Sequence, residues 1–316
     1  MSDLLSVSLF FNQKIILQGS HRGLPLRKTF VAGRVWMRTV PYDTVVSAVA
    51  GLVMKTNYVV PGDILDALKR IRGTETSEIA RFILDQIIEN DEIAAAEELP
   101  ICQDTGVAVF FADVGNDVRV GGDGLDAAIN EGTRIGYRDG GLRMSVVRDP
   151  LRRVNTGDNT PAIIHYTCVS GDSIHLSFCP KGAGCENMSR TAMLNPGSGA
   201  EGIVDFVLET VRDGGGRPCP PGIVGIGLGG DFEYSAILSK RALLRTIGTR
   251  HPDPFYSALE TGLLDAINSL GTGPMGLGGR STALDVFIEA APCHIASLPV
   301  AVNIQCHAAR HGSVVL

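Results

Sequence analysis

Reactive side chains cluster in a short turn at Pro100–Gly106, which places the thiol of Cys102 two residues before the carboxylate of Asp104. A charged helical pattern that ends at Leu99 precedes this turn, and an apolar run begins at Val107. Because proline and glycine interrupt regular structure, the sequence predicts a tight loop between a helix and a strand. Loops of this kind usually carry the reactive groups of α/β proteins.

Two later cysteines also lie at the ends of predicted elements. Cys219 stands between Pro218 and the pair Pro220–Pro221, and Cys306 ends an apolar strand pattern. Three thiolates that are distant in sequence can hold three irons of a cubane cluster and leave the fourth iron open as a Lewis acid. Scattered structural cysteines remain the alternative at this point, and the lack of paired C-x-x-C knuckles argues against a zinc ribbon.

The cysteine count argues against a disulfide framework. The chain has seven cysteines, an odd number, and no basic, apolar leader with a cleavage site. We expect Cys168 and Cys179, which lie in apolar strand patterns, to be small buried hydrophobic residues.

Composition excludes several classes of protein. The chain has 316 residues, 44% hydrophobic residues and a formal net charge of −6. This balance predicts a globular protein without the basic stripe that nucleic-acid binding requires. No apolar run approaches the ~20 residues of a membrane-spanning helix. We therefore predict a cytoplasmic protein with no nucleic-acid or membrane partner.

The N-terminal segment differs from the rest of the chain. Residues 1–36 combine a short apolar stretch with a basic, turn-rich stretch, and we predict a poorly packed extension upstream of a candidate natural start at Met37. We predict that residues 37–316 form the structured domain of the protein.

Periodicity predicts an α/β fold, with a helical N-terminal layer followed by a mixed β-sheet body flanked by helices. The helical layer has four predicted helices, which begin near Asp43, Ile64, Thr76 and Asn90. Strands are predicted over 107–111, 118–120, 162–169, 173–179, 223–228, 283–289 and 295–305, and helices over 125–137, 203–211, 235–247 and 255–267. The turn Ser170–Asp172 predicts a hairpin between the third and fourth of these strands.

Several long motifs together resemble the α subunit of the two-subunit iron–sulfur hydro-lyases, a family that includes class I fumarase and L(+)-tartrate dehydratase. The motifs occur in the family's order, and the resemblance covers about residues 37–310. They are Pro100–Gly106, Asn155–Ala162, Pro180–Gly184, Pro218–Pro221, His294–Pro299 and Cys306–Ala308.

The resemblance implies an oxygen-sensitive [4Fe-4S] cluster held by Cys102, Cys219 and Cys306. It implies reversible addition of water to a four-carbon dicarboxylate, either fumarate/malate or tartrate/oxaloacetate. It also implies a β subunit that supplies the catalytic base, in an α2β2 assembly.

The resemblance further implies roles for individual residues. Asp104 and His294 are the expected catalytic residues, and Gln103, Arg143, Gly182 and Gly184 are the expected substrate-binding residues. Arginine suits a carboxylate because its guanidinium binds in a two-pronged fork. From the residues alone, Asp104 is equally a turn residue, Arg143 a solvated charge and His294 a core histidine.

Two positions depart from the family pattern. Cys185 stands where the family usually has serine, and Cys293 stands where threonine is common. We interpret neither as a cluster ligand, because the other three cysteines lie in the matching motifs.

Two other functions stay open. Gly225–Gly230 satisfies the G-x-G-x-x-G pattern, so the alternative is a nucleotide-dependent oxidoreductase, although the acidic residue required ~20 positions later is missing. A third hypothesis is a non-catalytic electron-transfer subunit, whose cluster would have four protein ligands.

Overall fold

The computed structural model describes residues 37–316. The extension predicted over residues 1–36 lies outside the described residues, and it stays a prediction together with the start at Met37. In chain order the elements are β1 (Arg38–Val40), α1 (Tyr42–Tyr58), α2 (Gly62–Thr74), α3 (Glu78–Glu97), β2 (Val107–Gly115), β3 (Val118–Val120), α4 (Gly124–Asp139), β4 (Ile163–Val169), β5 (Ile174–Lys181), α5 (Ala183–Glu186), β6 (Arg190–Leu194), α6 (Gly199–Gly214), β7 (Gly222–Gly230), α7 (Phe232–Ala242), α8 (Pro254–Asn268), β8 (Ala283–Cys293), β9 (Leu298–Gln305) and β10 (Gly312–Val315).

The fold is mixed α/β and begins with a helical layer, as predicted. The layer has three long helices rather than four, because α3 continues through Asn90 and Asp91 as one helix of 20 residues. The side-chain amide of Asn90 donates to the carbonyl oxygen of Ile101 and does not compete for the backbone of its own helix. The helix therefore continues past Asn90. Helix α3 begins one residue beyond the cap Ser77, close to the predicted start near Thr76, and the Ser77 Oγ accepts from the backbone N–H of Ala80.

Helices α1 and α2 together meet the length and hydropathy criteria for a membrane span over Tyr42–Thr74, with 44% of the apolar window buried. The chain is extended at Val59–Pro61, however, so that neither helix alone reaches ~20 residues. Val45, Val49 and Val53 of α1 are fully buried in the core. Packing inside the protein therefore accounts for the apolar character of α1.

Two four-stranded sheets form the body, in the orders β10-β5-β2-β4 and β6-β9-β7-β8. The two sheets have the same arrangement. In the first sheet, the central strand β2 pairs in parallel with β4 and antiparallel with β5. In the second sheet, the central strand β7 pairs in parallel with β8 and antiparallel with β9. This correspondence between the halves is a topological repeat that shows no matching repeat in the sequence.

The predicted hairpin between β4 and β5 is wrong. The turn at Ser170–Asp172 connects strands that flank β2 on opposite sides, so β2 lies between them. The middle of β2 is buried and apolar, and it fills the central place in the sheet. The prediction for Cys168 is also wrong: β4 is an edge strand, and Cys168 is exposed, whereas Cys179 is buried as predicted.

Three large apolar clusters hold the layers together. Helices α1 and α4 cover one face of the first sheet, where Val49 and Tyr137 pack with Phe110 and Phe178. Helices α6 and α8 cover one face of the second sheet. Helices α2 and α3 lie on its other face, where Leu68 belongs to the cluster around Phe287 and Ile223 (the full cluster also includes Ile64, Leu84 and Leu284).

The glycines of the Gly225–Gly230 motif let a helix approach the sheet. They lie within or at the end of strand β7, and a Cβ atom on Gly227 would lie 1.9 Å from the carbonyl oxygen of Ser235 on α7. A Cβ atom on Gly225 would lie 2.2 Å from the carbonyl oxygen of Ser239. A phosphate-binding glycine loop requires free backbone N–H groups after the strand. These two glycines instead serve strand–helix packing.

Replacement of Gly227 by alanine is expected to destabilise the protein by about 3 kcal/mol or more, because the new methyl group overlaps the α7 backbone. Gly51 is the matched control, since it lies on α1 with no atom near its Cβ position. Gly51→Ala is expected to raise the free energy of unfolding by about 0.5–1 kcal/mol. Urea denaturation followed by circular dichroism measures both. A Gly227→Ala protein as stable as the wild type would contradict the packing argument.

Candidate functional site

The loop before β2 holds Cys102 and Asp104 in a fixed turn. Asp104 Oδ1 accepts from the backbone N–H of Gly106 at 3.1 Å, and Asp104 Oδ2 accepts from the backbone N–H of Ala183 at 2.8 Å. The backbone N–H of Asp104 also lies 3.4 Å from the sulfur of Cys102. The carboxylate of Asp104 therefore joins its own loop to the glycine segment after β5.

Two buried side chains, one on α4 and one in the loop before β4, support this loop. The hydroxyl of Tyr137 donates to the carbonyl oxygen of Thr105 at 2.7 Å. The amide of Asn159 donates to the carbonyl oxygen of Gly106 at 3.1 Å, and its Oδ1 accepts from the backbone N–H of Ser145 at 2.7 Å. Asn159 thus ties the segment that carries Arg143 to the Cys102 loop.

The backbone of Cys219 has a left-handed conformation, with φ of 55°. Such a conformation is uncommon for a residue with a side chain, and it occurs often at functional positions. The Cys219 carbonyl oxygen accepts from the backbone N–H of His307 at 3.1 Å, and this bond joins the turn before β7 to the segment after β9. Cys219 and Cys306 are therefore brought to the same end of the second sheet.

One cavity of about 160 Å³ collects most of the predicted site. It lies at the N-terminal ends of the central strands β2 and β7. Its lining comprises Cys102, Gln103, Asp104, Pro180, Gly182, Gly184, Cys185, Pro218, Cys219, Gln305, Cys306, Ala308 and Arg310. All the residues predicted from the sequence line this cavity except Arg143 and His294.

Arg143 lies beside the cavity rather than in its wall. Its backbone carbonyl accepts from Thr105 Oγ1 at 2.9 Å. Because Thr105 directly follows Asp104 in the chain, this bond holds the backbone of Arg143 next to the Cys102 loop. Its side chain is exposed and forms no hydrogen bond or ion pair with any residue in the described part of the chain. The guanidinium is thus free of partners among the described residues.

His294 lies at the opposite end of the second sheet. It follows β8, whose residue Cys293 pairs with Gly230 at the C-terminal end of β7, whereas Cys219 precedes the N-terminal end. The nine residues of β7 separate the two ends by roughly 26 Å. His294 is exposed, and within a single chain it does not reach the cavity. Its catalytic role therefore stays a prediction that requires a second copy of the chain.

Another cavity, of about 260 Å³, lies near Cys293. Its lining is mostly apolar, with Ile203, Leu228, Phe255 and Leu298 among its residues. Volume alone does not identify a reactive site, and the smaller cavity is the one where several thiols meet a carboxylate and a guanidinium.

Charged groups behind the site compensate one another. Lys181 is 3% exposed, and its Nζ lies 3.1 Å from the sulfur of Cys185 and 3.0 Å from Glu186 Oε2. Glu186 also pairs with Lys240. Burial opposes ionisation of Glu186, but the two ammonium groups prevail and lower its pKa.

The cysteines in the cavity differ in proton affinity. A hydrogen bond from Cys306 and the charge of Lys181 lower the pKa of Cys185. The same hydrogen bond, together with burial, raises the pKa of Cys306 well above its usual range. Burial also raises the pKa of Cys219.

Comparison with known proteins adds the family. The model of the fumarate hydratase (fumerase) family matches residues 46–315. The chain is 47% identical over 256 residues to a candidate L(+)-tartrate dehydratase subunit alpha of Methanocaldococcus jannaschii, which covers 79% of this chain and 90% of that protein. It is 35% identical over 260 residues to the L(+)-tartrate dehydratase subunit alpha of Escherichia coli K12, which covers 81% and 85%.

The chain belongs to the fumarate hydratase family. Both relatives have names that describe removal of water, so the chain is assigned to a family of hydro-lyases. The resemblance found in the motifs is thereby confirmed at the level of the family.

This family member contains site residues that the sequence did not single out. Arg310 and Gln305 line the cavity, and Cys185 faces it as a fourth thiol. Cys185 was visible as a departure from the family's glycine segment. Arg310 had no local signal, because it lies in a short loop after Cys306 and reaches the site only through the fold.

Arg310 is buried and makes three hydrogen bonds. Its Nη2 donates to the carbonyl oxygen of Asp104 at 2.7 Å, its Nε to Asn57 Oδ1 at 3.2 Å and its Nη1 to the carbonyl oxygen of Ala308 at 3.3 Å. The buried carboxyl of Asp91 feels this positive charge, but neither of its oxygens has a well-formed hydrogen bond to a described residue. Burial raises the pKa of Asp91 to about 6.

Asp91→Asn is expected to stabilise the fumarate hydratase family protein near pH 8 by about 2–3 kcal/mol. Because the folded pKa is raised above the unfolded value of 3.8, the folded state binds more protons between pH 4 and 6. The wild type therefore loses stability as the pH rises through this window, and the asparagine variant does not. Urea denaturation at pH 4 and pH 8 measures the difference, which should be near zero at pH 4. An equal effect at both pH values would contradict a buried carboxyl that titrates.

Proposed function

We propose that this chain is the α subunit of a [4Fe-4S]-dependent hydro-lyase that adds water to, or removes it from, a four-carbon dicarboxylate. The observation that carries the proposal is the convergence of Cys102, Cys219 and Cys306 on one cavity with Asp104. The names of the relatives make tartrate the first substrate to test and fumarate or malate the second.

The donor set fits the proposed cluster. Thiolates are the usual protein ligands of iron–sulfur clusters, and three of them leave one iron for substrate. Among the described residues, no three side chains of histidine, cysteine, aspartate or glutamate are close enough to hold a single metal ion. Wider spacing suits a cubane, because each thiolate then binds a different iron. Cys102, Cys219 and Cys306 are the proposed ligands.

A bound cluster supplies an iron that acts as a Lewis acid toward a hydroxyl and a carboxylate. The chain itself supplies orientation and charge. Gln103 offers an amide to a substrate oxygen, and the close packing of Gly182 against Asp104 leaves space only for backbone at that wall. Gly184 likewise presents only backbone to the cavity.

Two arginines are the proposed carboxylate contacts of this chain. Arg310 is part of the cavity wall, although its donors already hold the loop. Arg143 has a side chain without a partner among the described residues, so its two-pronged guanidinium is able to bind one carboxylate of the substrate at the rim.

The proton on carbon requires a base from outside this chain. Asp104 is the carboxylate in the cavity, and both of its oxygens already accept backbone N–H groups, from Gly106 and Ala183. It is therefore suited to orient a donor or water rather than to remove a proton from carbon. A β subunit that closes the cavity and supplies the base accounts for this, and the "subunit alpha" in the relatives' names supports it. We place the assembly, α2β2, in the reducing cytoplasm.

The two rival functions are less well supported. The glycines of Gly225–Gly230 are used in packing β7 against α7, which removes the basis for a nucleotide site. An electron-transfer cluster would require a fourth protein ligand at the open iron. Cys185 is a fourth thiol in the cavity, but its sulfur already contacts Lys181 Nζ and Gln305 Oε1, each at 3.1 Å.

Replacing Cys102, Cys219 or Cys306 by alanine is expected to prevent cluster assembly, because each removes the thiolate of one iron. After anaerobic reconstitution the wild type should contain about four irons per chain, and each variant less than about one. Iron and sulfide analysis measures this without an activity assay. Cys168→Ala is the matched control, since Cys168 is exposed on an edge strand. Normal iron content in Cys219→Ala would refute the ligand assignment.

Replacing Arg143 by lysine is expected to lower kcat/KM for the dicarboxylate by about 10- to 100-fold, because lysine keeps the charge but loses the two-pronged bond. The assay uses the chain co-expressed anaerobically with its β subunit. Arg148→Lys is the control, because Arg148 is also exposed and contacts only the carbonyl oxygen of Thr156. Equal kcat/KM in the two variants would remove Arg143 from the proposed site.

A further inference from the structure

A short hairpin, residues 146–156, lies on the surface between Arg143 and Asn159. A backbone hydrogen bond of 2.8 Å, from the N–H of Arg148 to the carbonyl oxygen of Val154, joins its two arms. An antiparallel bridge between Val147 and Asn155 pairs the arms next to this bond. We call this segment the arginine hairpin, because three of its residues are arginines: Arg148, Arg152 and Arg153.

Hydrogen bonds of the main chain and one aspartate fix the tip of the arginine hairpin. Asp149 Oδ1 accepts from the backbone N–H groups of Leu151 at 3.0 Å and Arg152 at 2.7 Å. The carbonyl oxygen of Asp149 accepts from the backbone N–H of Arg153 at 3.0 Å. The side chains of residues 151–153 take no part in these bonds, so the turn does not depend on them.

The hairpin presents apolar side chains to solvent next to positive charge. Leu151 is 90% exposed and Val154 is 57% exposed. The three arginines are also exposed, and none forms an ion pair with a residue in the described part of the chain. A single exposed leucine is ordinary on a protein surface. An exposed leucine on a fixed turn, flanked by unpaired arginines, has the composition of a protein–protein interface.

The charge of the hairpin indicates which kind of surface fits it. The whole chain has a formal net charge of −6, whereas the hairpin has three arginines and one aspartate. Asp158, just beyond the hairpin, pairs with Arg134 and does not neutralise them. A symmetric contact between two hairpins would place arginines opposite arginines, which disfavours a second copy of this chain. The complementary surface is an acidic one with an apolar centre.

The base of the hairpin is attached to the loop that carries Cys102 and Asp104. Asn159 Oδ1 accepts from the backbone N–H of Val146 at 3.1 Å, and the amide of Asn159 donates to the carbonyl oxygen of Gly106. Leu151 is five positions beyond Val146, which is a span of at most about 18 Å in an extended chain. A protein that contacts the tip is therefore close enough to cover the cavity as well, since an ordinary interface buries about 800 Å² on each partner.

We propose that the arginine hairpin docks into an acidic groove of the β subunit, with Leu151 as the central apolar contact and Arg152 and Arg153 as the charged contacts beside it. The identity of this partner rests on the proposed function, whereas the surface itself rests on the exposed side chains. Contact at the hairpin holds the β subunit beside the cavity, where the proposed reaction requires a base that this chain lacks.

The test measures the affinity of the full-length chain for the immobilised β subunit by anaerobic biolayer interferometry, at about 50 mM and about 500 mM NaCl. Arg152→Glu/Arg153→Glu should raise the Kd about 30-fold or more at the lower salt concentration. Salt should weaken binding of the wild type more than binding of this double variant, because the variant has lost the attractive charges. Leu151→Asp should raise the Kd about tenfold or more at both salt concentrations.

Matched controls change exposed side chains elsewhere. Arg70→Glu/Arg212→Glu reverses two exposed arginines on α2 and α6, and Phe82→Asp replaces an apolar side chain on α3 that is 65% exposed. Both should bind the β subunit as the wild type does. Urea denaturation checks that each variant is folded. Hydrogen–deuterium exchange of the wild type needs no variant, and the β subunit should slow exchange in the peptide that spans the arginine hairpin.

Three results would overturn the proposal. One is wild-type affinity in the hairpin variants without protection of the hairpin from exchange, and another is a wild-type chain that does not bind the β subunit. The third is a dimer of this chain alone that Leu151→Asp dissociates, which would make the hairpin a contact between copies. Iron analysis separates this proposal from the proposed function, because the hairpin variants should still take up about four irons per chain. A complex that depends on the hairpin but holds no cluster would refute the function and keep the surface.

Discussion

The side chain of Arg310 is the contact on which the cavity depends. It is buried, and its hydrogen bonds join the loop before β2 to helix α1 and to the segment after β9. A buried guanidinium is tolerated only where its donors are paired, so these groups have to stay together. A second hydrogen bond, from the backbone N–H of His307 to the carbonyl oxygen of Cys219, connects the turn before β7 to the segment after β9. The sulfurs of Cys102, Cys219 and Cys306 line one cavity because these hydrogen bonds connect the segments that carry them.

The charge around the cavity agrees with anionic contents. A cluster held by three thiolates and a dicarboxylate would both bring negative charge, and Arg310 and Lys181 are buried beside them. Glu186 offsets part of this positive charge in the described structure, since it pairs with both Lys181 and Lys240. Arg143 is exposed, and in the proposed function its guanidinium meets a substrate carboxylate from solvent. The proposed chemistry thus divides between a fixed inner wall and a rim that a second subunit completes.

Local signals predicted the part of the site that is local in the chain. The proline and glycine that bracket Cys102 and Asp104 predict a loop, and the prolines around Cys219 predict another. Sequence distance and spatial distance differ elsewhere, so that a single chain does not bring every predicted residue to the cavity. His294 is twelve residues from Cys306, but β9 runs the length of the sheet between them and carries them to opposite ends.

Strand order was the other limit. The turn between β4 and β5 has hairpin residues, but the pairing is decided by the buried strand β2, which takes the place between them. The same limit applied to Cys185. The cysteine in place of the family's usual serine marked it as unusual, whereas its place in the cavity wall follows from a strand order that no local pattern reveals. The types of most elements were therefore predictable, apart from short strands such as β6 and β10, and their neighbours in space were not.

The central claim is that three cysteines of this chain hold a cluster whose remaining iron binds the substrate. Mössbauer spectroscopy of the chain reconstituted with ⁵⁷Fe and paired with its β subunit, before and after addition of tartrate or malate, tests it most directly. The account predicts a four-iron spectrum in which one of the four irons changes on addition of the dicarboxylate. A cluster that is indifferent to both dicarboxylates, or a protein that takes up no four-iron cluster, would contradict it.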